Sequence, residues 1–244
     1  MITNLPVIDV YKKASLKSET VTQLLYGETF NKIKKVGNWI KIKNDLDKYE
    51  GFIKRKKFPK NQTNTHKVFK LYAQLYSKPK LKNKIKQKLS FGSRIKIIEK
   101  SGFFYKFDDL WVAKRDLKKI NYKTKNNFKN ILNFSNTKYS WGGKSYKGID
   151  CSGLVQIFFN FNNKYCPRDA NDQFKLFKQR VKISDIKKND LIFWKGHVAI
   201  AISKKKLIHA YGPFKRTVVM TIKSTIDRIY KTAHLKVLGV RRIN

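Results

Sequence analysis

Two stretches in the first half of the chain repeat one pattern. LLYGETFNKIKKVGNWIKI, residues 24–42, aligns with LSFGSRIKIIEKSGFFYKF, residues 89–107, so that Gly27 meets Gly92 and Gly37 meets Gly102. A repeat of about 65 residues means two small units of the same kind, each with its own core. Their content reads as short strands between turn residues. In the first unit these are Val7 to Tyr11, VTQLLYGETF at 21–30, NWIKIK at 38–43 and YEGFI at 49–53. In the second they are VFKLYAQLYS at 68–77, LSFGSRIKIIEK at 89–100, FFYKF at 103–107 and LWVAK at 110–114. Strands this short and this closely spaced predict small all-β barrels. Phe58 to His66, with Pro59, Asn61, Gln62, Thr63, Asn64 and Thr65, carries no apolar period and reads as the linker. The expected divisions are 1–60, 61–120 and 121–244.

From about residue 121 the periodicity changes. FKNILNF at 128–134 has helical apolar spacing, and CSGLVQIFFNF at 151–161 is long and apolar enough for a buried helix. A proline opens a further helix within PRDANDQFKLF at 167–177, and strand-like runs follow at 191–194, 198–202, 206–211 and 236–243. Helices first and an antiparallel sheet after them make this part α+β.

The chain carries 56 Lys and Arg against 16 Asp and Glu, a net charge of +40. An excess of that size raises the question of an anionic polymer, but charge totals speak to solubility and nonspecific binding rather than to fold. The lysines are spread along the whole chain, and Asn and Ile are abundant beside them, as A/T-rich codons would produce. The two cysteines, Cys151 and Cys166, do not make a disulfide framework. Met1 to Pro6 shows neither a basic nor an apolar signal segment, and no run approaches the length of a membrane span. The expected location is cytoplasmic, with periplasmic or secreted protein as the alternative.

Cys151 lies in GIDCSGL, directly before the apolar helical run. There a thiolate would face the positive end of a helix, which lowers a thiol pKa. Asp150, Ser152 and two glycines are odd neighbours for a core cysteine, so Cys151 reads as a nucleophile and Cys166, between Tyr165 and Pro167, as structural. A nucleophilic thiol needs a base, and the base an orienting partner. His66 and His234 read as surface residues. His197 opens the strand HVAIAI and His209 ends KLIHAY twelve residues on, so strands joined by the Ser203 to Lys206 turn would set the rings side by side. Alone, such a pair is more often incidental or a metal pair, but no third His, Cys or carboxylate stands nearby at ligand spacing and zinc is the weaker option.

YSWGG at 139–143, GIDCSGLVQ at 148–156, PRDANDQ at 167–173, NDLIFW at 189–194, HVAIAI at 197–202 and LIHAY at 207–211 together resemble the NlpC-type cysteine peptidases, which hydrolyse peptidoglycan stem peptides. The two barrels resemble the bacterial Src-homology-3-like domains that precede the peptidase in members cutting γ-D-glutamyl–diamino acid bonds. The resemblance implies a papain-like catalytic domain with helices packed on an antiparallel sheet, and no metal or organic cofactor. It makes Cys151 the nucleophile, His197 the base, His209 the orienting residue and Tyr139 a donor to the oxyanion beside the Cys151 N–H. It also implies that Asp150 and Ser152 bind the substrate's free amino group, with Glu28 and Tyr49 contributed by the first barrel. Asn189 in place of a glycine, and Ala199 after His-Val, depart from the family pattern without removing a catalytic group.

The implied partners are peptidoglycan-derived peptides, with no specific nucleic acid and no membrane span. Two rivals stand beside this reading. One is a hydrolase that remodels the intact wall, and the other is a non-enzymatic wall or polyanion binder using basic barrels. Transfer of the acyl group to an amine is a variant of the same chemistry.

Overall fold

The structure is a computed structural model that describes residues 1–60 and 62–243; Asn61, placed in the linker by its composition, lies outside the described residues. In the first unit β1 (Val7–Tyr11), β2 (Thr20–Leu25), β3 (Phe30–Val36), β4 (Trp39–Asn44) and β5 (Glu50–Lys54) pair antiparallel in the order β2-β1-β5-β4-β3. β4 shows the driving pattern. Ile40 and Ile42 are buried while Trp39, Lys41 and Lys43 stay half-exposed on the other face. Val10, Leu24, Phe30 and Ile53 complete that core. The run 21–30 is not one strand, because Gly27 turns the chain at φ +76°, where an added Cβ would sit 1.9 Å from the Arg94 carbonyl oxygen. β3 is invisible to sequence patterning because every residue after Phe30 is exposed, leaving no alternation to detect.

The second unit contains β6 (His66–Val68), β7 (Tyr72–Tyr76), β8 (Lys84–Ser90), β9 (Arg94–Ile95), β10 (Glu99–Ser101), β11 (Phe104–Phe107), β12 (Leu110–Ala113) and β13 (Leu117–Lys119). They form a five-stranded sheet, β10-β11-β12-β7-β8, and a three-stranded one, β13-β6-β9. The repeat is visible in its turns. Gly27 and Gly92 have φ of 76° and 83°, and Gly37 and Gly102 have 54° and 47°. The long runs 68–77 and 89–100 each break into separate strands, the second at Gly92.

The remaining chain holds β14 (Lys144–Ser145), β15 (Gly148–Ile149), α1 (Cys151–Phe161), α2 (Ala170–Leu176), β16 (Arg180–Val181), β17 (Leu191–Trp194), β18 (His197–Ala201), β19 (Lys206–Tyr211), β20 (Arg216–Thr221), α3 (Ile222–Ala233) and β21 (Gly239–Arg241). Six strands make an antiparallel sheet, β16-β21-β17-β18-β19-β20. Alternation along β17 to β19 divides the apolar side chains between two faces. Val198, Ile200, Ile208 and Ala210 pack with α1, whereas Trp194, Ala199, Ala201 and Leu207 pack with Ile222 and Ile229 of α3. FKNILNF forms only a 3₁₀ turn, Ile131–Phe134. α3 leaves little trace in the sequence because its buried positions are just Ile222, Thr225 and Ile229 among lysines and polar residues, although Thr221 caps it by accepting the Ser224 N–H.

Both β units grip this third part. Lys67 and Arg94 donate to the Phe161 and Asn160 carbonyls at the C-terminal end of α1, where cations complement the helix dipole. Phe91 stacks on Phe161 at 4.7 Å. From the first unit, Asp47 accepts from Gln156 at 2.9 Å, and Glu28 pairs with Lys144 at 3.1 and 3.2 Å with both side chains essentially sealed from water. Removing one member of such a pair strands the other. Lys144→Met is expected to lower the unfolding free energy by about 3–5 kcal/mol. The double variant Glu28→Leu/Lys144→Met should recover most of that loss, as urea unfolding of the three proteins would show.

Candidate active site

Asp150 caps α1. Its carboxylate accepts the Gly153 N–H at 2.7 Å and the Gly142 N–H at 2.8 Å, tying the WGG turn to the helix that begins with Cys151. Gly142 fits this turn at φ +73°, where a Cβ would lie 2.3 Å from the Thr20 carbonyl oxygen of β2. The carboxylate is buried, and Arg168 neutralises it. NH1 donates to Oδ1 at 3.0 Å and NH2 to Oδ2 at 2.5 Å, while NH1 also reaches Ser152 Oγ at 2.9 Å and Nε reaches Thr22 Oγ1 at 3.0 Å. Asp150 is therefore not an open carboxylate awaiting a substrate ammonium. Its charge is already spent on Arg168 and two backbone N–H groups, which corrects the substrate-binding role the sequence assigned it.

His197 and His209 lie diagonally on neighbouring antiparallel strands, where Ile200 faces Ile208, and His197 Nε2 stands 2.9 Å from His209 Nδ1. Tyr211 stacks on His209 at 4.7 Å and 16°, fixing that ring in its plane. The contact through Nε2 leaves Nδ1 as the free nitrogen of His197. Cys151 reaches the same strand, because its sulfur accepts the Val198 N–H as well as that of Ser152. Tyr139 packs its ring against Gly212 and carries its hydroxyl near the thiol. Cys151, His197, His209 and Tyr139 are thus brought together. Cys166 is fully buried elsewhere, its carbonyl accepting from Gln156.

Burial pushes the Cys151 thiol up to about 12, with Asp150 adding to it, against the Val198 and Ser152 N–H groups and Arg168, which pull it down. Burial also lowers His197 to about 4, which Asp150 only partly opposes. Both shifts favour a neutral thiol beside a neutral imidazole at rest, instead of the thiolate expected from the helix start alone. Alkylation of Cys151 by iodoacetamide should therefore quicken as pH rises into the alkaline range. A thiolate–imidazolium pair would instead give a rate that is flat from acid to mildly alkaline pH, so a rate profile against a Cys151→Ala background separates the two.

The thiol opens into a cleft of about 460 Å³ between the first β unit and the α+β part. Tyr49 lines it and donates to Asp169 Oδ2 at 3.2 Å, its hydroxyl pushed up to about 12 by burial and by Asp169. Ser152 lines it as well. Glu28 does not; it is spent on Lys144, away from the cleft, which corrects its assignment as a pocket residue. The carboxylates that do face the cleft are Glu19, which accepts from Trp141 Nε1 at 2.6 Å, together with Glu50, Asp169 and the Arg168-bound Asp150. Arg168, Asp169, Glu19 and Trp141 are site residues that the sequence reading does not single out. The available signal is the Arg-Asp pair inside PRDANDQ, since two opposite charges at a helix start rarely lack partners. Among the described residues no group of three or more His, Cys, Asp or Glu side chains is arranged to hold a metal ion.

Comparison with known proteins agrees with this geometry. Residues 136–237 match the NlpC/P60 family and residues 6–58 the bacterial SH3 domain. Dipeptidyl-peptidase 6 of Lysinibacillus sphaericus is 26% identical over 229 residues, covering 83% of this chain and 84% of its own. The γ-D-glutamyl-L-lysine dipeptidyl-peptidase of Bacillus cereus is 26% identical over 225 residues, covering 78% of this chain and 66% of its own. The crystal structure of an NlpC/P60 family protein from Bacillus cereus superposes with a TM-score of 0.80 over 99% of this chain and 98% of that one, at 20% identity, a likeness of fold. A thiol at a helix start, a histidine pair on the adjoining sheet and these two matched regions agree on one conclusion, that residues 136–237 form a cysteine peptidase domain of the NlpC/P60 family and residues 6–58 a bacterial SH3 domain.

Proposed function

We propose that the enzyme hydrolyses the γ-D-glutamyl–diamino acid amide bond of peptidoglycan stem peptides that carry a free N-terminal L-alanine, as in the recycling of wall peptides. The observation that carries this reading is the cleft itself. The SH3 domain closes it on one side, and of its carboxylates Glu19 pairs with Lys12, Glu50 with Lys41 and Lys43, and Asp150 with Arg168, which leaves Asp169 without an ion pair among the described residues. A cleft beside the thiol that is walled by the SH3 domain and carries an unpaired Asp169 suits a short peptide with a terminal ammonium better than one with a bulky sugar cap. Asp169 is the favoured ammonium partner, with Tyr49 and Ser152 beside it. The names of the two relatives above, both dipeptidyl-peptidases, point the same way.

In the proposed reaction Cys151 Sγ attacks the γ-carbonyl carbon as its proton passes to His197 Nδ1. His197 returns that proton to the leaving amine, and water then releases the acyl group through the same base. The Cys151 N–H, at a helix start where N–H groups lack intrahelical partners, and the Tyr139 hydroxyl hold the oxyanion. The base role requires His197 Nε2 to donate to His209 Nδ1, so that His209 carries its own proton on Nε2. Burial and the neighbouring His197 hold His209 well below the ordinary histidine range, which keeps it a neutral acceptor.

We also read residues 61–120 as a second SH3-like barrel, from the matched glycine turns, and 121–244 as a papain-like domain, with 1–60 as the first barrel. Remodelling of the intact wall is the second reading, and the wall that the SH3 domain makes along the cleft weighs against it.

Three outcomes are expected. Cys151→Ala should abolish turnover while Cys166→Ala retains it. His197→Ala should cost more in kcat than His209→Ala, and His209→Asn should recover part of the His209→Ala loss by accepting from His197 Nε2. L-Ala-γ-D-Glu-diaminopimelate should be cleaved far faster than its muramoyl-linked form, with Asp169→Asn raising KM for the free peptide by about tenfold or more, the scale of a lost charge-assisted hydrogen bond. Equal rates on both peptides, measured by mass analysis of products, would favour the wall-remodelling reading.

A further inference from the structure

Positive charge recurs with unbroken regularity at residues 77–88. This segment, SKPKLKNKIKQK, has a lysine at every second position from Lys78 to Lys88 and no carboxylate. Part of it has a local reason. Lys84, Lys86 and Lys88 lie on β8, the outer strand of its sheet, where lysines deter pairing with another chain's edge. Lys88 also sits 4.1 Å over the Tyr72 ring. The turn ahead of β8 has no such reason. Lys78, Lys80 and Lys82 are exposed there and surround Leu81, which is itself 61% exposed.

A second apolar side chain stands with it. Phe103, at the tip of the β10–β11 hairpin, is 85% exposed, more than any other large apolar side chain among the described residues. Leu81 and Phe103 share one groove of about 220 Å³ with Lys114 and Arg115. The tip is held firmly. The Lys114 N–H donates to the Phe103 carbonyl at 2.9 Å, and Phe104 packs beneath on Tyr76 at 5.1 Å beside Trp111. A rigid core therefore presents Phe103 to solvent. Among the described residues, none of Lys78, Lys80, Lys82, Lys114 and Arg115 takes part in an ion pair.

We propose that this tip docks the protein on an anionic phospholipid surface, with Phe103 and Leu81 entering the headgroup boundary and the surrounding cations meeting lipid phosphates. Two protruding side chains over a small groove fall short of a stable protein interface, which needs about 1,000 Å². A nucleic acid would call for ring platforms on which successive bases stack, and a single hairpin-tip phenylalanine beside a leucine is not one. No residue lining the peptidase cleft comes from 61–120, so docking here leaves that cleft open.

The test is sedimentation with vesicles of phosphatidylcholine alone and of phosphatidylcholine mixed with phosphatidylglycerol, at physiological salt. Binding is expected only to the mixed vesicles. It should weaken at least tenfold in Leu81→Ser/Phe103→Ser and in Lys78→Gln/Lys80→Gln/Lys82→Gln, and stay unchanged in a control losing the same charge elsewhere, Lys204→Gln/Lys205→Gln/Lys223→Gln. Phe103→Trp should bind like the parent and show a blue-shifted emission on the mixed vesicles. This variant and the lysine triples keep the Tyr76–Phe104–Trp111 packing, so the test stands even if the serine pair folds poorly. Absence of binding to the mixed vesicles overturns the proposal. So does an equal loss in the control triple, or an emission of the Phe103→Trp variant that does not move, since either marks diffuse adsorption by net charge. Tighter binding to a single-stranded oligonucleotide that depends on Lys78, Lys80 and Lys82 would reassign the surface to nucleic acid.

Discussion

The bond between Arg168 and Asp150 is the constraint on which the site depends. One carboxylate caps the helix that begins with the nucleophile and holds the WGG turn, and one guanidinium holds that carboxylate, Ser152 and Thr22 of the SH3 domain together. Such a buried pair is tolerable only because every oxygen has a donor and Arg supplies its donors in a fixed fork. The position of Cys151, the shape of the turn and the seat of the SH3 domain are therefore one choice instead of three.

The far end of α1 obeys the same logic with the opposite sign. Lys67 and Arg94 bind its last carbonyls, and burial brings Lys67 down to about 8 with Arg94 and Lys123 adding to it. The nucleophile helix is pinned by a carboxylate from within its own domain at one end and by cations from the second β unit at the other. That explains why a catalytic region of ordinary size is accompanied by two β units packed against it, the first shaping the cleft and the second steadying the helix.

What can be read from the sequence follows what each element depends on. α1 is legible because eleven consecutive residues, Cys151 to Phe161, are all buried and most of them are apolar. The histidine pair is legible because two apolar strands with a short turn fix their spacing. The outer strand β3 and the helix α3 are not, since their exposed faces carry lysine where a period would otherwise show. Glu28 and Asp150 mislead for a related reason. A carboxylate in a motif announces a charge that needs a partner, but whether that partner is Lys144, Arg168 or a substrate depends on contacts more than a hundred residues away or across a turn.

The acid thiol environment also becomes intelligible through the distribution of charge. In a chain of net charge +40 only 16 residues are acidic, yet Glu19, Glu50, Asp150 and Asp169 line this single cleft. Three of the four are paired, Glu19 with Lys12, Glu50 with Lys41 and Lys43, and Asp150 with Arg168, which leaves Asp169 as the unpaired charge. The cost is borne by Cys151, whose thiol Asp150 helps to keep protonated. On the proposed reading the gain is discrimination, because Asp169 is left to meet a cationic peptide end in a chain whose surface is otherwise basic. On that same reading catalysis begins from a neutral pair, and the ammonium of an arriving peptide, by offsetting the nearby carboxylates, would lower the cost of forming the sulfur anion when it is needed.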